Sequence, residues 1–196
     1  MLALSVLGLG GCSADGGSNG ATSASAVPTL KLTATAETVP VGTVARDAAD
    51  DPAIWRNPDD PGKSLVIGTD KRAGLYVFGM DGSQKSFLPE GELNNVDVRE
   101  VMIDGRKTVL VGASIRNDRN HAHIGLYRLD TASAKLQPLG KFAAGAGEAY
   151  GFCLGQDKGG EVFAYMIGKA GAVRELKLSF AGGVPNAVIT REHKLA

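Results

Sequence analysis

The sequence predicts an all-β protein, and three observations support that fold class. Short apolar or alternating runs recur along the chain, whereas no stretch of ten or more residues repeats with a helical period. Glycine is frequent, with 27 in 196 residues, as turn-rich β proteins require. Evenly spaced short strands are typical of sandwiches, barrels and propellers, and periodicity does not choose among the three.

Strands are predicted in chain order wherever a short apolar or alternating run occurs. They cover Ser64–Thr69, Gly74–Met80, Val96–Ile103, Thr108–Ile115, Ile124–Leu129, Val162–Ile167 and Val173–Phe180. Turn signals separate several of them, at Asp81-Gly82, Asp104-Gly105, Gly159-Gly160 and Gly182-Gly183. Tyr150–Leu154 reads as a further apolar strand, in which Cys153 is expected to be a buried structural thiol.

Composition and charge narrow the range of partners. The chain is 43% hydrophobic, which predicts one soluble domain with a sizeable core. Lys+Arg and Asp+Glu both total 21, so neither a nucleic acid nor a membrane surface is expected as a partner. Residues 47–60 hold five acids and one base, whereas residues 116–128 hold three arginines, two histidines and one acid. This separation suits a ligand that combines metal cations with phosphate anions.

The N-terminal residues are expected to direct export and to tether the domain. Residues 1–12 are apolar and too short to span a bilayer, and Leu9-Gly10-Gly11-Cys12 resembles a bacterial lipobox whose cysteine carries lipid. Residues 13–29 form a low-complexity Ser/Gly/Ala tether, and residues 30–196 form the folded domain. We therefore expect an exported lipoprotein of the bacterial cell envelope, periplasmic or on the outer surface; a buried N-terminal strand is the alternative. Because the first base is Lys31 and a signal begins with positive charge, the natural start is expected upstream.

The run Asp47–Trp55 places three carboxylates within five residues, directly before a proline and an apolar pair. Two unit charges ~4 Å apart near a protein surface repel by roughly 4 kcal/mol, so water or a cation must relieve the repulsion. Oxygen ligands crowded into a short loop favour calcium. Ile54 and Trp55 are expected to bury themselves and hold the acids outward. The alternative is a solvated acidic turn.

Four separated segments have the order and spacing of one known family. They are Asp47–Trp55, Gly68–Leu75, Leu93–Arg99 and Glu148–Phe152. Together they resemble the β-propeller phytases, calcium-dependent enzymes that remove phosphates from phytate, and the resemblance extends from about Ala36 to the last residue. It implies a six-bladed β-propeller with calcium phytate as substrate and Ca²⁺ as cofactor. A propeller lipoprotein that binds phosphorylated or anionic ligands without turnover is the alternative.

The length of the domain sets a limit on the number of blades. Propeller blades need roughly 40–50 residues each, so the 167 residues from Leu30 to Ala196 provide for about three or four. The chain is therefore expected to be the N-terminal half of the propeller; the alternative is that the remaining blades come from another chain. The family keeps most of its catalytic carboxylates in the other half, so this half is expected to be inactive alone. The full-length protein is expected to be a monomer.

The resemblance also assigns metal ligands. In the family, calcium ions in a shallow cleft bridge phosphate oxygens and bind the attacking water. By its place in the first segment, Asp50 corresponds to a ligand of such a calcium. Its neighbour Asp51 is assigned to the metal as well.

Four more residues match groups that contact phosphate in the family. Lys71 and Arg116 correspond to a phosphate-binding lysine and arginine, and the arginine fork suits two oxygens at once. Lys169 corresponds to a second phosphate-binding lysine. Tyr150 corresponds to a cleft tyrosine, assigned to catalysis, whose hydroxyl donates to phosphate or supports a calcium. At Asp70 the family often has a neutral amide, so an extra acid beside Lys71 is expected to weaken phosphate binding.

Two further patterns lie outside these assignments. His121 and His123 share one face of a predicted strand, as zinc or copper ligands do, but no third ligand is evident nearby. Asn94, Asn95 and Asp97 either bind a structural calcium, with Asp97 the stronger candidate, or close a turn with side-chain hydrogen bonds.

Overall fold

A computed structural model describes residues 29–44 and 47–195. The predicted signal peptide, the tether up to residue 28 and the lipidation site Cys12 lie outside the described residues. The described strands are β1 Ala49–Trp55, β2 Leu65–Asp70, β3 Gly74–Gly79, β4 Gln84–Pro89, β5 Leu93–Ile103, β6 Arg106–Ile115, β7 His121–Asp130, β8 Lys135–Ala146, β9 Ala149–Gln156, β10 Val162–Gly168, β11 Ala172–Ala181 and β12 Val184–Lys194. A short 3₁₀-helix, Pro61–Lys63, joins β1 to β2. No helix of the described part has the length and apolar character that crossing a membrane requires.

The strands form three four-stranded antiparallel sheets, and each sheet is a meander of consecutive strands. We name them blade 1 (β1–β4), blade 2 (β5–β8) and blade 3 (β9–β12). Successive four-stranded meanders are the repeating unit of a propeller. The predicted all-β propeller fold is therefore confirmed, and the count of six blades stays a prediction.

Blade 2 is buried on both faces and separates two hydrophobic cores. Leu110 and Val111 are neighbours in β6, and both are fully buried. Leu110 belongs to the core between blades 2 and 3, together with Leu154, whereas Val111 belongs to the core between blades 1 and 2, together with Ile67. Successive side chains of a strand point to opposite faces, so a continuous apolar run fills both cores at once.

The first strands of the three blades lie side by side, with β5 between β1 and β9. Hydrogen bonds from side chains to backbone cross both boundaries. Asp51 Oδ2 of β1 accepts from the Val96 amide of β5 at 2.9 Å, and Asp97 Oδ2 of β5 accepts from the Leu154 amide of β9 at 2.8 Å. Arg99 Nη2 donates to the Leu154 carbonyl at 2.8 Å, so the backbone N–H and C=O of Leu154 both have partners in blade 2.

All the predicted strands are present, including the one that contains Cys153. The fourth strand of each blade was not predicted, because β4, β8 and β12 expose at least half of their residues and have no continuous apolar run. β1 was interpreted as a loop, since its first half is the acidic segment.

Two expectations about burial are wrong. Cys153 is exposed, because the alternation of β9 turns Phe152 and Leu154 into the core and Cys153 away from it. Ile54 is 60% exposed for the same reason, since the neighbouring Trp55 is the side chain of β1 that faces the core.

Candidate functional site

Charged residues collect at one end of the three blades. In an antiparallel meander, the entry to the first strand and the turn between the second and third strands lie at the same end. The residues at this end are Asp47, Glu92 and Glu148 before β1, β5 and β9, with Lys71 and Arg72 after β2, Arg116 and Arg119 after β6, and Lys169 after β10. Segments far apart in sequence thereby meet around one surface.

A β-bulge interrupts the first strand of each described blade close to this end. The extra residue falls at Asp50-Asp51 in β1, at Asn94-Asn95 in β5 and at Tyr150 in β9. A bulge leaves one residue outside the ladder and redirects the nearby side chains. The bulges therefore coincide with three segments that the sequence had singled out.

Lys71 lies between two aspartates. Its Nζ is 2.8 Å from Asp47 Oδ1 and 3.2 Å from Asp50 Oδ1, and 13% of its side chain is exposed. The hydrogen bond with Asp47 raises the pKa of Lys71 against the opposing effect of burial, and the same bond lowers the pKa of Asp47. Lys71 therefore remains a cation, as a group that binds anions must.

Arg116 is held by contacts to three neighbouring residues. Its Nη1 donates to Asn94 Oδ1 at 2.9 Å and its Nη2 to Glu148 Oε1 at 2.5 Å, and the guanidinium lies 5.9 Å from the centroid of the Tyr150 ring. Its buried Nε has no hydrogen-bond partner among the described residues. A guanidinium fixed in this way offers its remaining N–H groups in one orientation.

The Glu148 carboxylate joins cations of two blades. Its Oε1 also accepts from Arg119 Nη1 at 2.6 Å, and its Oε2 lies 3.5 Å from Lys169 Nζ. Burial acts to raise the pKa of Glu148, but the hydrogen bond with Arg116 and the surrounding positive charges lower it. The carboxylate is therefore ionised at neutral pH.

A pocket of about 120 Å³ opens between these loops. Its lining residues are Asp47, Lys71, Arg72, Glu92, Arg116 and Arg119. Four cations outnumber two acids, so the pocket favours an anion. Glu92 is paired with Arg72 at 3.6 Å and also with Arg119, which fixes the far wall. The structure thus brings Lys71 and Arg116, assigned to one site from the sequence, to the same pocket.

Lys169 and Tyr150 do not line this pocket, but each is connected to Arg116, which does. Lys169 is connected to it through Glu148, and 59% of its side chain is exposed. Tyr150 is 42% exposed beneath the Arg116 guanidinium. The roles assigned to them from the sequence stay predictions.

The described acids at this end of the blades do not form a metal site by themselves. Asp50 shares Lys71 with Asp47, and one oxygen of Asp51 is bonded to the Val96 amide. Within the described ranges, no three His, Cys, Asp or Glu side chains are grouped to hold a metal ion, whereas calcium takes ~6–8 oxygen ligands. Asp50 and Asp51 fit a calcium ion as contributors to a larger donor set.

The two patterns left open by the sequence have contacts within the protein. Asp97 Oδ2 is bonded to the Leu154 amide, so Asp97 connects blades 2 and 3. His121 Nδ1 lies 2.8 Å from Asp118 Oδ2, and His123 Nδ1 lies 2.9 Å from the His121 carbonyl. These contacts give each residue a structural partner.

Asp70 does not face the pocket. Its side chain is fully buried, its Oδ1 accepts from the Arg72 amide at 2.9 Å, and its Oδ2 has no hydrogen-bond partner among the described residues. The extra acid next to Lys71 is therefore part of the turn between β2 and β3 and does not line the anion pocket.

Five residues of the site were given no role from the sequence, namely Asp47, Arg72, Glu92, Arg119 and Glu148. Asp47 is the first acid of the segment Asp47–Trp55. Arg119 belongs to the basic segment 116–128, and Glu148 opens one of the four resembling segments, so a signal existed for both. Arg72 follows Lys71 and Glu92 precedes the segment Leu93–Arg99, and only their pairing across two blades distinguishes them from surface charges.

A larger cavity lies at the opposite end of the blades. It has a volume of about 560 Å³, and its lining includes the β5–β6 turn at Asp104 and the β11–β12 turn at Gly183. None of the residues assigned from the sequence borders it. Size alone therefore does not identify the functional site here.

Comparison with known proteins agrees with this arrangement. The model of the phytase family matches residues 2–196. The chain belongs to the phytase family. A curated member of similar sequence is the 3-phytase of Bacillus subtilis (strain 168), which is 37% identical over 173 residues. That alignment covers 85% of this chain and 45% of the Bacillus protein, so the chain spans about half the length of this relative.

Proposed function

We propose that this phytase-family protein removes phosphate groups from phytate by hydrolysis. The observation that carries the proposal is the convergence of Lys71, Arg72, Arg116 and Arg119 on one small pocket. Membership of the phytase family and the similarity to a 3-phytase support phytate as the substrate.

The cations address the main difficulty of the reaction. Phosphate monoesters hydrolyse very slowly in water, so an enzyme must stabilise the charge that develops on the transferred group. Lys71 and Arg116 bind the phosphate in the pocket, and Lys169 binds a neighbouring phosphate from the edge of blade 3. Tyr150 donates its hydroxyl to a phosphate oxygen. The fixed guanidinium of Arg116 orients the ester for attack by water.

We further propose that the reaction depends on calcium, with Asp50 and Asp51 among the ligands. When bound, a calcium ion polarises the phosphate and lowers the pKa of a coordinated water. Two aspartates do not satisfy such an ion, so ligands from elsewhere in the full-length protein complete the site. Lys71, which contacts Asp50 at 3.2 Å, would then be shared between the carboxylate and the phosphate.

We also propose that the protein is exported as a lipoprotein. Cys12 carries the lipid, residues 13–29 hold the domain away from the membrane, and the full-length protein acts as a monomer at the cell envelope. Mass spectrometry of the membrane fraction tests this part, since Cys12→Ser should abolish both the lipid and the membrane association. A wild-type protein without lipid on Cys12 would contradict it.

The decisive experiment measures inorganic phosphate released from phytate by the full-length protein. We expect release in the presence of calcium, loss of release after chelation, and recovery when calcium is restored. Release that chelation does not affect would contradict the calcium proposal. Tight binding of phytate without any release would instead favour the alternative, a propeller that binds anions without turnover.

A further inference from the structure

We propose that Glu148 is a positioning residue that sets the spacing between the cations of blade 2 and the lysine of blade 3, so that a multiply phosphorylated ligand engages both together. The inference rests on the proposed function, because it concerns the same site. Nothing in the family resemblance or in the comparisons assigns a role to Glu148.

The first argument is the geometry of the carboxylate. Oε1 contacts Arg116 Nη2 at 2.5 Å and Arg119 Nη1 at 2.6 Å, and Oε2 lies 3.5 Å from Lys169 Nζ. Only 14% of the Glu148 side chain is exposed. Without this carboxylate, Arg116 and Lys169 would lose their carboxylate partner among the described residues. Arg119 would keep Glu92, and repulsion among the three cations would separate them.

The second argument is that the backbone holds Glu148 between the two blades. The Gly147 amide donates to the Asn120 carbonyl of blade 2 at 2.7 Å, and the Lys169 amide of blade 3 donates to the Glu148 carbonyl at 3.0 Å. Gly147 has φ 91, a left-handed conformation that favours glycine, so this crossing is built into the chain. Glu148 therefore occupies a fixed point between the β6–β7 connection and the β10–β11 turn.

Glu148 could affect the affinity for anions in two ways, and removing its carboxylate would change the affinity for phytate in opposite directions. If its carboxylate merely competed with phosphate for the cations, its removal would strengthen the binding of every anion. If it positions the cations, its removal weakens binding of a ligand that must reach both blades, and affects a single phosphate ion much less.

The test compares Glu148→Gln with the wild type in the full-length protein. Titration calorimetry with phytate under calcium chelation, which prevents turnover, and with inorganic phosphate measures binding, and steady-state kinetics separates KM from kcat. We expect phytate to bind about tenfold more weakly, the loss of one charge-assisted contact, with less than about a twofold change for inorganic phosphate. Glu148→Asp keeps the charge and should recover part of the affinity.

A matched control is Glu175→Gln in β11, which removes a carboxylate of similar exposure, 17%, that pairs with Arg191 away from the pocket. We expect this variant to bind phytate as the wild type does.

Equal losses of phytate affinity in both variants, or tighter phytate binding by Glu148→Gln, would overturn the positioning role. A wild-type protein that binds phytate but releases no phosphate would contradict the proposed hydrolysis and still allow Glu148 to be tested by binding. Thermal denaturation of each variant shows whether a loss of phytate affinity reflects unfolding. If Glu148→Gln is unfolded, the phytate affinity of Glu148→Asp tests the positioning role instead.

Discussion

The Asp97 carboxylate of β5 accepts a hydrogen bond of 2.8 Å from the Leu154 amide of β9, across a boundary that no backbone ladder spans. Its other oxygen accepts from the Val98 amide at 2.7 Å. Together with Arg99, which donates to the Leu154 carbonyl, Asp97 connects blades 2 and 3 by polar contacts above their shared apolar core.

Replacing Asp97 should therefore destabilise the fold. Asp97→Ala leaves the partly buried Leu154 amide without its acceptor, which costs roughly 1–3 kcal/mol of unfolding free energy. Urea denaturation followed by fluorescence measures the change. Asp59→Ala, at an exposed aspartate in the connection between β1 and β2, is the control and should change stability by less than about 0.5 kcal/mol. Equal stability of Asp97→Ala and the wild type would show that the apolar core alone joins the blades.

The double variant Lys71→Ala/Arg116→Ala should lose most of its turnover. Each side chain supplies charge-assisted hydrogen bonds of roughly 1.5–3 kcal/mol, so kcat/KM for phosphate release from phytate should fall at least about a hundredfold. Lys177→Ala, which removes an exposed lysine paired with Glu161 on the outer part of blade 3, should leave kcat/KM unchanged. Activity that survives the double substitution would disprove the assignment of the pocket.

The ion pair between Asp47 and Lys71 predicts a particular dependence of stability on pH. Lys71 lowers the pKa of Asp47 below 3.8, so the carboxylate contributes stability above that pH and loses it as the pH falls through the lowered value. Asp47 raises the pKa of Lys71 above 10.5, so the lysine contributes fully below that pH and loses its contribution as the pH rises through the raised value.

The measurement is the unfolding free energy of Asp47→Asn relative to the wild type across pH. The difference should be constant between these two limits and should disappear in acid, where the wild-type carboxylate is protonated. Asparagine tolerates the φ of 61 at this position, so backbone strain does not enter. Asp104→Asn makes the same substitution at another exposed aspartate with a positive φ, 47, and is the matched control for the backbone conformation. A difference that persists in strong acid would mean that the ion pair is not its cause.

Asp70→Asn should retain or increase stability. Asp70 is fully buried and its Oδ2 has no hydrogen-bond partner among the described residues, and the substitution replaces its carboxyl group with an amide of nearly the same size. The amide oxygen still accepts from the Arg72 amide and keeps the turn. We expect the unfolding free energy to stay equal or to rise by about 1 kcal/mol. A clear decrease in a thermal melt would show that the charge of Asp70 has a stabilising partner.

Much of the fold could be predicted from the sequence, because burial leaves a local pattern. The apolar run of β6 reads as a strand on its own, and it is buried on both faces, so each of its residues contributes to the signal. The exposed strand β12 carries no such pattern and was missed. The alternation of side chains along a strand is also a local property. Which of the two faces is turned toward the core depends on the neighbouring blades, and the expectations for Ile54 and Cys153 were wrong for that reason.

The candidate site, like the fold, was predicted from the sequence only in part. The sequence by itself determined which residue types were available: an acidic segment around Asp50, lysines and arginines in the segments between apolar runs, and the family to which the chain belongs. Only the tertiary structure decided that Arg116 and Lys169 share the carboxylate of Glu148, and that Asp51 and Asp97 reach across to neighbouring blades. The reason is physical. Bulges and blade packing set which side chains meet, and these depend on contacts between residues dozens of positions apart, which no local pattern in the chain records.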